Sequence, residues 1–162
     1  MTSPKELKRH LRKEALGRRD ALDPFWRVEA ALEMAETARD SIAIEPGQIV
    51  SGFWPMRELV RGAPMVDMGF GTVGPHDEAE VLDPQVMLVP LAAFDARGHR
   101  IGYGAGYYDR AIARLVDKGQ PPRLIGIAFD CQEVALVPDE PHDMIIPEIL
   151  TENGLRRFAP KL

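Results

Sequence analysis

The chain has 162 residues, 45% of them hydrophobic and 28% charged, with 20 Lys/Arg against 25 Asp/Glu for a net charge of −5. This is the composition of one globular domain large enough for a real core, and the acidic balance argues against a nucleic-acid partner. The longest apolar stretch, Val86 to Phe94, is too short to span a bilayer, and the charged start does not read as a secretory signal. A single cysteine, Cys131, allows no internal disulfide and reads as a small packed thiol rather than a nucleophile. The expectation is a cytoplasmic monomer, residues 1–162 forming one domain without a membrane segment.

In chain order, Ser3-Pro4-Lys5-Glu6 supplies a serine N-cap, a first-turn proline and a glutamate three after the cap. That predicts a helix to about Leu22. Asp23-Pro24 repeats the start signal, and a second helix follows through "FWRVEAALEMAETARD". Residues Gly47 to Pro55 read as a strand. The stretch Met56 to Asp83 reads as a long loop. "PQVMLVPLAAF" is apolar without alternation and predicts a strand buried on both faces.

"YYDRAIARLVDKG" then predicts a helix closed by lysine and Gly119, "RLIGIAFD" a further buried strand, and Ile149 to Thr151 a short last one. Strand, loop, helix, strand is a βαβ pattern. It predicts an α/β fold in three layers, a mainly parallel central sheet with helices on both faces.

Between the apolar strand and the third helix, Gly98 to Ile112 holds four glycines, three tyrosines and Asp109. "GYGAG" alone fits either a tight turn or a phosphate loop, because it matches neither the P-loop nor the dinucleotide fingerprint. Three further features weigh on the choice. Asp109 stands at a helix start, where the dipole favours a carboxylate and where bound phosphate would invite a hard cation. Asp143, in Pro141-His142-Asp143, is a turn residue alone but could complete a metal site with Asp109. Lys8 and Arg12 lie four apart on the first helix, so both project from one face and could grip one polyphosphate. The four histidines are scattered without zinc spacing.

"VPLAAFDARGHRIGYGAGYYDRAIARL" followed by "IGIAFDCQEVALVPDEPHDM" resembles the signature half of the 5-formyltetrahydrofolate cyclo-ligase (methenyltetrahydrofolate synthetase) family. The likeness covers most of residues 84–152, and the first helix and "GFWPMRE" also fit. It implies ATP- and Mg²⁺-dependent conversion of 5-formyltetrahydrofolate to 5,10-methenyltetrahydrofolate through a phosphorylated formyl oxygen. By position, Lys8 and Arg12 match N-terminal ATP contacts. Arg100, Ile101, Gly102, Tyr103 and Gly104, with Ala105, Gly106, Tyr107 and Tyr108, match the ATP loop.

Tyr103, Gly104, Ala105, Gly106 and Tyr107 would also face the folate, with Arg100 and Tyr107 the expected catalytic side chains. Asp109 and Asp143 match magnesium ligands. Trp54 and Glu58 match pterin-side contacts, Glu58 only if one residue is skipped after Arg57. Two departures stand out: Ala105 replaces a frequent third glycine, and the segment around 58–74 is compressed, lacking a helix and a strand that relatives carry. An alternative expectation is therefore a non-catalytic nucleotide-binding relative with a defective folate pocket.

Overall fold

The structure is a computed structural model and describes residues 1–53, 65–69, 72–75, 80–104 and 106–158. Helix α1 (Pro4–Asp20) opens on a capping box: Ser3 Oγ accepts from the Glu6 N–H at 3.2 Å, and the Ser3 N–H donates to Glu6 Oε2 at 2.9 Å. Helix α2 (Pro24–Ser41) is capped by Asp23, whose Oδ1 accepts from the Trp26 N–H at 3.0 Å. Both helices begin where their cap signals place them; α1 ends at Asp20, just short of Leu22.

The strands are β1 (Val50–Ser51), β2 (Met65–Gly69), β3 (Thr72–Pro75), β4 (Val86–Pro90), β5 (Ala93–Phe94) and β6 (Arg100–Ile101). Helix α3 (Tyr107–Asp117) follows, then β7 (Arg123–Ile127), a short 3-10 helix (Asp130–Gln132), β8 (Glu148–Thr151) and β9 (Gly154–Arg157). Five strands form one sheet in the order β1-β4-β7-β8-β9. The first four run parallel, and β9 returns antiparallel to β8.

Alternating side chains divide the core into layers, as the pleat requires. Along β4, Met87 and Val89 pack with Ile112 and Leu115 of α3, whereas Val86 and Leu88 pack with Met34 and Ile42 at α2. Strand β7 does the same, Leu124 facing α3 and Ile125 and Ile127 facing α2. The expected α/β arrangement is therefore present, a mainly parallel sheet with helices on both faces. Helix α1 adds a small apolar face, Leu11 and Ala15, against Ala93, Ile101, Val134 and Val137. No helix among the described residues is long and apolar enough to cross a membrane.

Four local expectations need correction. "PQVMLVPLAAF" is two strands, not one: the parallel ladder stops at Pro90, and the Ala92 N–H turns to the Ile101 carbonyl at 2.8 Å. The buried Gln132 amide donates to the carbonyls of Leu91 and Ala92 at 2.9 and 3.0 Å, so the break leaves neither carbonyl orphaned. The strand expected over Gly47–Pro55 is described only as Val50–Ser51, its last two residues lying outside the described residues. Part of the expected 56–83 loop is the β2–β3 hairpin. Finally the sheet extends past the expected last strand to β9, an arginine-rich strand whose sequence has no apolar pattern to predict it.

Gly98 closes the turn between β5 and β6 with φ +81°, where an added Cβ would lie 2.4 Å from the Ile146 carbonyl oxygen. The Gly98 carbonyl in turn accepts from the Ile146 N–H at 2.9 Å, stitching the hairpin to the 143–146 segment. Gly98→Ala combines an unfavourable φ with a backbone clash and is expected to destabilise the fold by about 1–3 kcal/mol. A denaturant titration reads this directly; an unchanged midpoint would contradict the close approach.

Candidate functional site

The glycine loop leaves β6 and runs directly into α3. It follows an antiparallel two-residue strand, so the βαβ pattern read from the sequence is interrupted by a hairpin before the helix. Hairpin β5–β6 projects from the end of β4 and carries the loop there. Gly106 is the N-cap of α3 with φ +71°, and no side chain caps that helix. A left-handed N-cap suits glycine, and the open helix start favours an anion through its N–H groups and dipole.

This helix start lines a cavity of about 200 Å³. Lys8, Arg12, Arg100, Ile101, Gly102, Tyr103, Gly104, Gly106, Tyr107 and Tyr108 all line it, as do Asp109 and Asp143. The sequence-selected residues thus meet around one space, apart from three: Trp54, Glu58 and Ala105 lie outside the described residues.

Each basic group has a defined setting. Arg12 Nε donates to the Gly102 carbonyl at 2.7 Å and so pins α1 to the loop. Lys8 Nζ donates to Asp143 Oδ2 at 2.7 Å and to Glu140 Oε2 at 2.8 Å. Burial opposes the charge at both Lys8 and Asp143, but it is outweighed in sum, by the hydrogen bonds and charges of Asp143 and Glu140 at Lys8 and by Lys8 and the Glu140 N–H at Asp143, so Lys8 is held above and Asp143 below its ordinary value. Arg100 is the most enclosed, its side chain 4% exposed; Nη2 donates to Asp109 Oδ1 at 2.8 Å. Its Nε is buried without a hydrogen-bond partner among the described residues. An orphaned guanidinium donor in a cavity wall is an anion-seeking feature.

The acidic groups bear on a metal. Asp143, Glu140 and His142 present ligand atoms within 4.8 Å of one another, and Asp109 lines the same cavity. Carboxylate oxygens beside a phosphate-sized basic cavity fit a hard divalent cation. Burial lifts the Tyr108 phenol above its usual range, with Arg100 opposing. The Cys131 thiol is also pushed up, by burial first and then Glu152, which suits a packed thiol and not a nucleophile.

A second cavity of about 1000 Å³ lies on the α2 face of the sheet. Met34, Ile42, Phe53, Leu88, Ile127 and Leu150 give it a mainly apolar lining, with Arg19, Arg39 and Gln132 among the polar residues. Pro90 and Tyr103 line both cavities. Arg19 and Glu140 are additions to the residues expected from the sequence. Arg19 follows Arg12 by seven positions, two turns along one helix face, and that spacing could have revealed it.

A sequence model of the 5-formyltetrahydrofolate cyclo-ligase family matches residues 67–152, more than half of the chain. The chain is 34% identical over 91 residues to 5-formyltetrahydrofolate cyclo-ligase of Haemophilus influenzae, covering 54% of this chain and 48% of that one. It is 40% identical over 84 residues to the Saccharomyces cerevisiae protein of the same name, covering 49% and 39%. The matches thus span about half or less of the length of these relatives. The fold is that of the NMR structure of Aquifex aeolicus 5,10-methenyltetrahydrofolate synthetase, with a TM-score of 0.76 at 23% identity, covering 96% of this chain and 95% of that one. With the glycine loop, the Tyr-Tyr-Asp helix start and the Pro-His-Asp turn gathered at one cavity, the chain belongs to the 5-formyltetrahydrofolate cyclo-ligase family.

Proposed function

We propose that this chain uses ATP to convert 5-formyltetrahydrofolate to 5,10-methenyltetrahydrofolate, releasing ADP and phosphate. The observation that carries the reading is the pair of cavities sharing one wall at Pro90 and Tyr103. The small one is basic and suits a polyphosphate; the large one is apolar and suits a flat ring system. Their junction is where a terminal phosphate and a formyl oxygen would meet.

A formamide carbonyl resists ring closure because its oxygen leaves poorly. In the proposed reaction the formyl oxygen attacks the terminal phosphorus, and the bond to ADP breaks. N10 then adds to the activated formyl carbon, the carbon–oxygen bond breaks, and phosphate departs as N10 loses its proton. Such chemistry needs positioning and charge neutralisation more than a protein nucleophile. Lys8, Arg12 and the buried Arg100 would bind the phosphates, the start of α3 adding its dipole. Tyr103 and Tyr107 would flank the folate's reacting end. A divalent cation held by Asp109 and Asp143 would neutralise further phosphate charge.

The test is ATP-dependent appearance of the methenyl chromophore from 5-formyltetrahydrofolate. Nucleotide binding without folate binding or product would instead favour the non-catalytic reading, which the compressed segment around 58–74 motivates. Asp109→Asn is expected to lower turnover by about 10²-fold and weaken its magnesium dependence, with little loss of stability because that carboxylate is partly exposed. Unchanged activity at limiting magnesium would remove Asp109 from the metal site.

A further inference from the structure

Three arms of α1 reach the glycine-loop region from one helix face: Lys8, Arg12 and Arg19. The first two border the small cavity, and Arg19 borders the large one. Arg19 Nη1 donates to the Tyr103 hydroxyl at 2.9 Å, while its Nε and Nη2 are held by Asp20 Oδ1 at 3.2 and 3.1 Å. Tyr103 sits between Gly102 and Gly104, so its own neighbours do little to fix its ring. Two arginines supply that constraint from outside, Arg12 at the Gly102 carbonyl and Arg19 at the Tyr103 hydroxyl.

Tyr103 and Pro90 are the described residues common to both cavities. Pro90 is fixed by the sheet, being the last β4 residue in register with Ile127. Tyr103 is half exposed, and its hydroxyl is held from α1. From this geometry we infer that Arg19 is a positioning residue for the reaction: by anchoring the Tyr103 hydroxyl it sets the wall between nucleotide and folate. The inference rests on the reaction proposed above. Losing the anchor leaves the phosphate-binding groups in place but lets the shared wall shift, and a shift on the order of 1 Å can lower a rate about 10²-fold.

The experiment compares wild type, Arg19→Met, Arg19→Lys, Tyr103→Phe and the Arg19→Met/Tyr103→Phe double variant. It measures kcat, KM for ATP and for 5-formyltetrahydrofolate, and melting temperature. Arg19→Met is expected to lower kcat by about 10- to 100-fold with KM for ATP within about threefold of wild type. Tyr103→Phe should do the same, the double variant should add little, and Arg19→Lys should recover much of the loss by restoring one donor. An inactive wild type would overturn the proposed reaction and this inference with it. An active wild type with Arg19→Met at full kcat, with fully additive losses, or with a loss confined to KM for ATP overturns the positioning role alone. A parallel fall in kcat and melting temperature in Arg19→Met that Arg19→Lys does not relieve would mark a merely structural residue and also overturn it.

Discussion

Replacing Arg100 with methionine is expected to lower kcat/KM by about 10²- to 10³-fold while leaving a folded protein. The guanidinium is nearly enclosed in the wall of the small cavity, bonds Asp109 at 2.8 Å and keeps an Nε without a partner among the described residues. A buried charge with spare donors is already desolvated and oriented, so its attraction for phosphate oxygen is not diluted by water. Methionine keeps much of the aliphatic packing, and Asp109, partly exposed, can be hydrated once its partner is gone. Steady-state kinetics with a thermal melt checks this. A variant with normal turnover would take Arg100 out of the phosphate site, and a variant that fails to fold would assign it to stability.

Asp95→Ala is expected to remove about 3–5 kcal/mol of stability. The carboxylate is fully buried in the β5–β6 turn and accepts from the N–H groups of Arg97 at 2.9 Å, His99 at 3.3 Å and Val137 at 2.9 Å. Arg97 completes the set with Nη2 at 2.8 Å and Nε at 3.1 Å. Truncation orphans several donors together, and for a chain of this size the loss corresponds to about 6–20 °C in melting temperature. Because the hairpin carries the glycine loop, nucleotide binding should weaken in the same variant.

The same group carries a pH dependence. Burial alone would raise the Asp95 carboxyl, but the Val137 N–H and Arg97 outweigh it and hold it below its usual value. The folded form therefore binds this proton less readily than the unfolded chain. Its contribution is fully present above about pH 3.9 and is lost as pH falls through the lower folded value. Acid titration of Asp95→Asn should accordingly show a shallower fall in stability below about pH 4 than wild type. Equal slopes would contradict the depressed carboxyl.

Legibility in the sequence followed the range of each interaction. Ser3, Glu6 and Asp23 act within three residues of themselves, so the helix starts could be read directly. The buried strand β7 and the amphipathic α3 declare themselves by period. Two-residue strands such as β5 and β6 carry no period at all, and their pairing is set by the Pro90 break and by Gln132 from a distant turn. At the site, the glycine cluster and both aspartates could be picked out as types, the family likeness adding positions. The contacts of Glu140 with Lys8 and of Arg19 with Tyr103 could not, because 132 and 84 positions separate the partners, although the helix-face spacing marks Arg19 itself.

Those separations also set a timetable for biosynthesis. Helix α1 is made well before Glu140 and Asp143, which hold its Lys8 and are joined 132 and 135 residues later. At about 5–20 residues per second the helix waits roughly 7–26 s for these partners. Its other arms find partners sooner, Arg19 at Tyr103 after 84 residues and Arg12 at Gly102 after 90, so the basic face is tied down in stages. Strands β8 and β9 are made after Asp143, so sheet and site reach completion together, in the last stretch of synthesis.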